Sequence, residues 1–379
     1  MTLTVPFRFI ACAYFPDTLA KPMTQPQSGL NYALHERNIP AGMGMRKLLT
    51  VASIILVLLT AVEMTARQRG DQVNFPFTSD MWVGQWYRLD SLPDNQTVFI
   101  GASRVQFGLI VNEWERQTGV RPLLLAWPGS PPGLILQELA KRQSFKGTVI
   151  CGIAPPFSFV SPRFPVHDWT QRNLAEAAVL KTSLAFHLSY QAQYFLKPRF
   201  RCLNDAAFSP IAMLYERWPI PNREGLLTPL IFPFGATRDG DMQMRFTDEM
   251  ETNNKKQEFI ARIQKASHLR LAHYGPANTD SLIRQYTEDV STIEKRGGKV
   301  IFLRPPSDGH FRAFEKEHYP REQYFDRLVK ASGCYGIHFE DHAELRDFRC
   351  VETSHLSKRD GIEFTKRVVE ILQRDQIID

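Results

Sequence analysis

The stretch TVFIGASRVQFGLI, residues 97–110, holds the first indication of the fold. Its apolar run Val98–Ile100 is typical of a buried strand, which the next glycine ends. Ser103 follows two residues later, where the chain must turn into its next element. Open α/β sheets bind ligands at the carboxyl ends of their strands, and a backbone N–H at a helix start can face a developing negative charge. Gly-Ala-Ser is also ordinary turn chemistry, so Ser103 needs partners before it indicates a site.

Beyond residue 95, short apolar runs alternate with amphipathic stretches, which is typical of βαβ units around a parallel sheet. A crossover helix is expected in GSPPGLILQELAKRQ (129–143), and a capped last helix is expected from Ser357. A Pro-, Arg- and aromatic-rich insertion covers about 160–275, with one helix candidate at 259–274. The sequence therefore predicts an α/β fold with a mostly parallel sheet of five strands: TVFIG (97–101), PLLLAW (122–127), GTVICGI (147–153), GKVIFLR (298–304) and GIHFED (336–341).

An apolar segment precedes this region. Residues 48–64 contain no basic residue and a single acid, Glu63. The pattern predicts a signal-anchor or transmembrane helix over 45–66, and the apolar part of a cleaved signal peptide or a buried core helix stays open. Arg46 and Lys47 directly before the run predict a cytoplasmic N-terminus and export of the rest, although Arg67 and Arg69 on the far side act against this orientation.

The segments that flank this apolar run lack clear periodicity. Residues 1–44 are expected to be a poorly ordered extension, with translation starting at Met43 or Met45. Residues 67–94 are expected to be a linker to a domain at 95–375.

Composition excludes several classes of function. The chain is 43% hydrophobic and 23% charged, as in a globular protein, and its formal charge of +6 is spread along the sequence. This distribution predicts no nucleic-acid partner, and no zinc-ligand or Walker spacing is present, so neither a metal nor a cofactor is expected. Four of the five cysteines are widely spaced without a CxxC pair, and Cys151, inside a strand-like run, is expected to be a buried free thiol.

The partners of Ser103 are found between the last strand and the last helix, in DFRCVETSHLSKRDG (347–361). Glu352 and His355 stand three residues apart, immediately before the capped helix. A loop of this kind can let the carboxylate orient one imidazole nitrogen while the other faces a serine. A Glu and a His in a surface turn is the alternative. Order and position favour a site, because all three residues would converge on one end of a parallel sheet.

Three segments together resemble the SGNH (GDSL-like) hydrolase superfamily: FIGASRVQFGL (99–109), LLAWPGSPPG (124–133) and SHLSKRDGIEFTKRVVEIL (354–372). They are similar to its membrane-anchored bacterial branch from cell-envelope and exopolysaccharide gene sets. That branch includes relatives of alginate O-acetylation proteins and of the D-alanyl-lipoteichoic acid protein DltD. The resemblance implies a three-layer α/β/α, flavodoxin-like fold.

Carried over by position, the resemblance implies a catalytic triad. Ser103 would be the nucleophile, His355 the general base and Glu352 the residue that orients it, with both Ser103 and His355 at a solvent-facing loop end. Glutamate replaces the commoner aspartate, so a backbone carbonyl could take over its role. The backbone N–H groups of Ser103 and Gly129 would form the oxyanion hole.

Three further residues are candidates for binding the substrate. The asparagine that the family places after the third strand has no match in CGIAPPFSF (151–159), and Ser158 or Arg304 is expected to substitute for it. Trp127 is a candidate for stacking on a sugar ring, although a core position is the alternative.

Two functions from different classes remain open. The first is an exported serine esterase or O-acetyltransferase that acts on a cell-envelope or extracellular polysaccharide through an acyl-serine. By analogy, a transferase would have an integral-membrane acyltransferase as its partner. The second is a catalytically degenerate glycan-binding component of a polysaccharide modification or export complex. Either would be a single-pass inner-membrane protein with its main domain in the periplasm.

Overall fold

The computed structural model describes residues 43–68, 70–76, 78–203, 235–274 and 278–378. Most of the extension expected over 1–44 therefore lies outside the described residues. The chain divides into two units, Met1–Leu56 and Val57–Asp379, and the described part of the first is helical. The strands are β1 Val98–Ile100, β2 Leu123–Leu124, β3 Thr148–Gly152, β4 Ala236–Arg238, β5 Met244–Phe246, β6 Lys299–Arg304 and β7 Tyr335–His338. The helices are α1 Met43–Gln68, α2 Ser79–Arg88, α3 Ser103–Gly108, α4 Val111–Thr118, α5 Pro132–Lys141, α6 Pro155–Ser158, α7 Pro165–Leu180, α8 Leu184–Leu196, α9 Asp248–Thr252, α10 Asn254–Tyr274, α11 Thr279–Glu294, α12 Gly309–His318, α13 Phe325–Ser332 and α14 Lys358–Arg374.

Five strands form one parallel sheet in the order β2-β1-β3-β6-β7. Each strand overlaps one of the five predicted stretches, and β7 begins one residue before its stretch. This overlap confirms the α/β class and the five-stranded parallel sheet. In the register of the sheet, Phe99 of β1 lies beside Leu124 of β2 and Ile150 of β3. The order changes direction at β1, because β2 lies on one side of it and all later strands of this sheet lie on the other.

Side chains of the strands alternate between two apolar layers. Val98 and Ile100 pack on one face with α5 and α11, whereas Phe99 packs on the other with α4 and α14. The predicted crossover helix forms as α5, and the predicted last helix forms as α14, where the Ser357 side chain accepts a hydrogen bond from the backbone N–H of Asp360. Helices on both faces leave the strand ends as the place where loops of different origin meet.

The expected linker over 67–94 contains a core element instead. Helix α2 buries Trp82, whose indole Nε1 donates to the Leu125 carbonyl at 3.0 Å. Gly84 lies so close to the Tyr190 ring that an added Cβ would come within 2.0 Å of it. A ten-residue helix with a central glycine has weak intrinsic propensity, so tertiary packing decides its formation.

The insertion expected over about 160–275 contains α7, α8, α9 and α10 among the described residues, together with the antiparallel hairpin β4–β5. The helix candidate at 259–274 forms the larger part of α10. Met244 and Phe246 of the hairpin pack in one apolar cluster with Phe107 of α3. The insertion thus contacts the element that begins at Ser103.

Helix α1 is long and apolar enough to cross a membrane, with a mean hydropathy of 2.2 over its most apolar window. None of that window is buried against the rest of the described chain. Its bounds enclose the span expected over 45–66. Cys151 is a buried free thiol as predicted, and the other described cysteines are free as well.

Candidate active site

The turn after β1 depends on two glycines. Gly101 has a φ of +146°, a conformation that side-chain-bearing residues rarely adopt. A Cβ added there would lie 2.5 Å from Cγ2 of Val105, and one added to Gly152 at the end of β3 would lie 2.0 Å from the same atom. Val105 of α3 therefore fits into the space that the two glycines leave, and this packing fixes Ser103 as the first residue of α3.

The loop that carries Glu352 and His355 closes on itself before α14. Cys350 and Leu356 form an antiparallel bridge, and the Val351 N–H donates to the His355 carbonyl at 2.8 Å. Thr353 at its tip has a φ of +77°, which is uncommon for a β-branched residue. Backbone strain of this kind persists only where the surroundings enforce it, and it is concentrated at functional sites.

Ser103, His355 and Glu352, here called the triad, form a continuous hydrogen-bonded chain. The Ser103 Oγ lies 2.6 Å from His355 Nε2. The His355 Nδ1 is hydrogen-bonded to Glu352 Oε1. Because an ionised carboxylate can only accept, Nδ1 carries the proton and Nε2 is left to accept the proton of the serine hydroxyl. The three residues that the sequence selected are thus brought together in the order that general-base activation requires.

The carboxylate of Glu352 is held by four hydrogen bonds. Oε2 accepts from the backbone N–H groups of Ser354, at 3.0 Å, and His355, at 2.9 Å. Oε1 accepts from His355 Nδ1 and from Nε2 of Gln264 in α10, at 3.0 Å. Burial by itself raises the pKa of Glu352, but the neighbouring imidazole of His355 and the backbone N–H groups of Ser354 and His355 hold the pKa below its usual value. The longer glutamate side chain lets one carboxylate bind the loop backbone and the imidazole at once.

Aromatic rings enclose the imidazole. The ring of Phe107 lies 4.4 Å from that of His355, centroid to centroid, and Phe246 of the β4–β5 hairpin lies 6.2 Å away, edge to face. Ser103 is 7% exposed and His355 is 3% exposed, so the expectation of a solvent-facing loop end was wrong. The hairpin of the insertion covers this end of the sheet, and a low-dielectric surrounding strengthens the hydrogen bonds of the triad.

The expected oxyanion-hole donors follow two neighbouring strands, Ser103 at the start of α3 and Gly129 in a turn. Gly129 is half-buried with a φ of +70°, in the turn between β2 and α5. Within the described parts of the chain, the N–H groups of Ser103 and Gly129 have no hydrogen-bond partner. The turn is tied to the insertion, because the hydroxyls of Ser130 and Thr170 of α7 are 2.9 Å apart.

The three residues expected to bind substrate are buried. Trp127 stacks on Trp169 of α7 with ring centroids 3.9 Å apart, and it packs in the core. The Ser158 hydroxyl accepts the Ala154 N–H at 3.1 Å. Arg304 is 1% exposed and its guanidinium is bound by Glu315 and Ser307. These contacts assign Trp127, Ser158 and Arg304 structural roles in this conformation.

Sequence reasoning missed a second polar group beside the triad. Arg104 donates to Glu315 Oε1 at 2.7 Å and to the Ser354 hydroxyl at 3.3 Å. Glu315 of α12 also binds Arg304 and accepts from the Ser307 hydroxyl at 2.6 Å. We call Arg104, Arg304, Ser307 and Glu315 the arginine cluster. Through Ser354, it contacts the loop that carries the triad carboxylate.

Gln264, Phe107 and Phe246 are the other functional candidates that the sequence did not reveal. They reach the triad from the insertion and from the far end of α3, and no spacing rule connects them to Ser103. A glutamine on a helix gives no signal for such a role. In the described ranges, no group of three or more His, Cys, Asp or Glu side chains is arranged to hold a metal ion.

No family model, no curated protein and no solved structure matches the chain. The description of the triad therefore depends only on the contacts within this chain.

Proposed function

We propose that the protein is a serine esterase or O-acyltransferase that works through an acyl-serine intermediate on Ser103. The observation that carries this proposal is the hydrogen-bonded chain from the Ser103 hydroxyl through His355 to the Glu352 carboxylate. A buried serine that needed only a structural partner would not require a glutamate behind the imidazole, itself fixed by Gln264. Nucleophile, base and orienting acid are the parts that acyl transfer to serine requires.

In the first half-reaction, the Ser103 Oγ bonds to the acyl carbon of an ester while its proton moves to His355 Nε2. The carbonyl π electrons move onto the carbonyl oxygen, where the N–H groups of Ser103 and Gly129 would donate to it. The tetrahedral intermediate then collapses. The alcohol oxygen leaves with the proton from Nε2, and the acyl group stays on Oγ.

In the second half-reaction, water or a sugar hydroxyl gives its proton to His355 Nε2 and attacks the acyl carbon. Ser103 is released with its proton restored, and the product is a carboxylic acid or a new ester. Hydrolysis and transfer thus share every residue and differ only in the acceptor. The resemblance to O-acetylation proteins favours an acetyl group on an envelope polysaccharide.

The topology supports the assignment to a flavodoxin-like, SGNH-type fold. Numbered within the parallel sheet alone, its strands follow the order 2-1-3-4-5, which is that of flavodoxin-like proteins. In such sheets, ligands bind outside the carboxyl ends of the strands at the point where the order reverses. Ser103 follows the first strand, which lies at that point.

We further propose that α1 anchors the protein in the inner membrane and that the α/β domain lies in the periplasm. Length and hydropathy support a span, and Arg46 and Lys47 before it favour a cytoplasmic N-terminus. An alkaline phosphatase fusion after residue 80 should be active. An active cytoplasmic reporter at the same position would contradict this topology.

Hydrolysis of p-nitrophenyl acetate by the detergent-solubilised full chain tests the chemistry. We expect release of p-nitrophenol that depends on Ser103 and is unchanged by Ser332→Ala, which removes a half-buried hydroxyl at the end of α13, at the opposite end of the sheet from Ser103. Absence of Ser103-dependent turnover with acyl esters would favour a glycan-binding role without catalysis.

A further inference from the structure

Helix α8 is apolar on two sides. Phe186 and Tyr190 face inward and are buried in the core that contains α2. Leu184, Leu188 and Phe195 are 71%, 62% and 57% exposed. Their spacing of four and seven residues places these three side chains on one outward face of the helix. An outward stripe of large apolar side chains on a surface helix requires something to cover it.

The apolar stripe continues past the end of α8. Phe200 and Leu203 are exposed as well, and both follow the helix within seven residues. The Arg199 guanidinium lies 3.8 Å from the centre of the Phe195 ring and donates to the Phe195 carbonyl. An arginine that lies along an aromatic ring with its charge at the rim of an apolar surface is the arrangement found at membrane interfaces.

The same segment is bound to the end of α1. Oε2 of Glu63 accepts the Cys202 N–H at 2.8 Å, and Nη2 of Arg67 donates to the Arg199 carbonyl at 2.9 Å. Ala66, between these two α1 residues, is almost fully buried. Glu63, near the end of the apolar run, is the first charged residue of α1 after Lys47. The contact therefore lies where an apolar span gives way to polar sequence.

We propose that the outward face of α8, with Leu184, Leu188 and Phe195, lies in the lipid interface of the bilayer that α1 spans. The inference rests on membrane anchoring by α1 and is independent of the proposed chemistry. Lipid is the occupant that fits best, because the stripe is continuous with the end of the membrane helix. The cationic rim formed by Arg199 suits phospholipid headgroups.

Spin labels on the full chain test this proposal in nanodiscs of phosphatidylcholine and phosphatidylglycerol. Leu188→Cys places a label in the stripe. Ser189→Cys is the matched control, because it is the next residue, is also exposed and points about 100° away around the helix. The wild-type chain, labelled in parallel, reports any reaction of the native cysteines.

We expect the label at position 188 to collide more with oxygen than with a water-soluble nickel chelate, and the label at 189 to show the reverse. Equal access of the nickel chelate to both labels would overturn the proposal, because the stripe would then face water. Protection of the 188 label from both reagents would also overturn it, in favour of a protein partner or a second copy. Ester hydrolysis by the Leu188→Cys chain should equal that of the wild type, so failure of the lipid contact and failure of the chemistry are distinguishable.

Discussion

Ser103 and Arg104 are neighbours in the chain, yet their side chains enter two buried polar groups that are built differently. Ser103 ends the triad, whose hydrogen bonds run in one direction from a neutral hydroxyl to a single carboxylate. Arg104 belongs to the arginine cluster, in which both oxygens of Glu315 are bound by guanidinium groups. The triad is arranged for the proton transfer that the proposed reaction requires, whereas the arginine cluster is a set of ion pairs around one carboxylate.

The pKa values of Glu315 and Arg304 reflect both burial and ion pairing in the arginine cluster. Burial raises the pKa of Glu315, but Arg104 and Arg304 oppose it more strongly and lower the pKa to about 2. Burial disfavours the charged form of Arg304 as well, and it lowers the pKa of this guanidinium to about 9, although Glu315 partly opposes the effect. At neutral pH Glu315 and Arg304 therefore both stay charged. Through the contact of Arg104 with Ser354 the cluster holds the Glu352 loop, whereas the triad is the group proposed to perform the chemistry.

The largest expected effect follows from removing the nucleophile or the base. Ser103→Ala and His355→Ala should each lower ester hydrolysis by roughly 10⁴-fold or more, to a common floor, because triad members act as a unit. Initial rates with p-nitrophenyl acetate give the comparison, with thermal unfolding as the check on folding. Wild-type turnover in either variant would remove the triad from consideration.

Loss of the Glu352 charge should come next. Glu352→Gln keeps the shape of the side chain but offers an amide to His355, which favours the wrong tautomer and cannot stabilise the imidazolium, so kcat should fall by about 10³- to 10⁴-fold. Glu352→Asp should be tolerated better, because it keeps the charge. A rate for Glu352→Gln within about threefold of wild type would indicate a Ser-His dyad in place of the triad.

A change in the arginine cluster should act on stability. Glu315→Gln leaves two buried guanidinium groups without a counter-charge, which should cost about 3–5 kcal/mol of unfolding free energy. Urea unfolding followed by tryptophan fluorescence measures this cost. Glu363→Gln, which disrupts an exposed i,i+4 pair with Arg367, is the control and should cost less than about 1 kcal/mol.

The same carboxylate sets a pH dependence. Because folding lowers the pKa of Glu315 to about 2, its stabilising contribution is complete above the unfolded value of 4.5 and is lost as the pH falls from there toward 2. Wild-type stability should decline over this window, and the decline should be smaller in Glu315→Gln. Parallel acid titrations of the two chains would contradict the assigned role of the cluster.

The smallest expected effect concerns Gln264. Gln264→Leu removes one of the four hydrogen bonds to Glu352 while keeping side-chain volume, so kcat should fall by about tenfold. KM should stay unchanged, because Gln264 acts through the carboxylate and does not touch the substrate. A higher KM with an unchanged kcat would show instead that Gln264 contacts the substrate.

The comparison of the triad with the arginine cluster also shows which contacts can be predicted from the sequence. Order and spacing were enough to predict that Ser103, Glu352 and His355 lie together, because a parallel sheet gathers the ends of its strands at one edge. No such rule connects Arg104 with Glu315, which lies 211 residues away, or Glu352 with Gln264, 88 residues away. Those contacts depend on where the insertion and α12 pack, and packing is decided by tertiary structure.

The sequence also did not predict that the insertion covers the triad. Phe246 belongs to a three-residue strand in an insertion whose periodicity is weak, so its position over His355 could not be expected. Trp127 illustrates a different limit, because an aromatic residue at a strand end is compatible with both a sugar platform and a core position, and the sequence left both open. Its stacking on Trp169 of α7 gives it a core position.

Mass spectrometry of the full chain after reaction with a fluorophosphonate tests the central claim most directly. The reagent phosphonylates only a serine that is activated by a base. We expect one adduct, on Ser103, that is absent in Ser103→Ala, is strongly slowed in His355→Ala and forms normally in the remote control Ser332→Ala. An unmodified Ser103 under conditions that label a known serine esterase, or an adduct that persists at the wild-type rate without His355, would contradict the account.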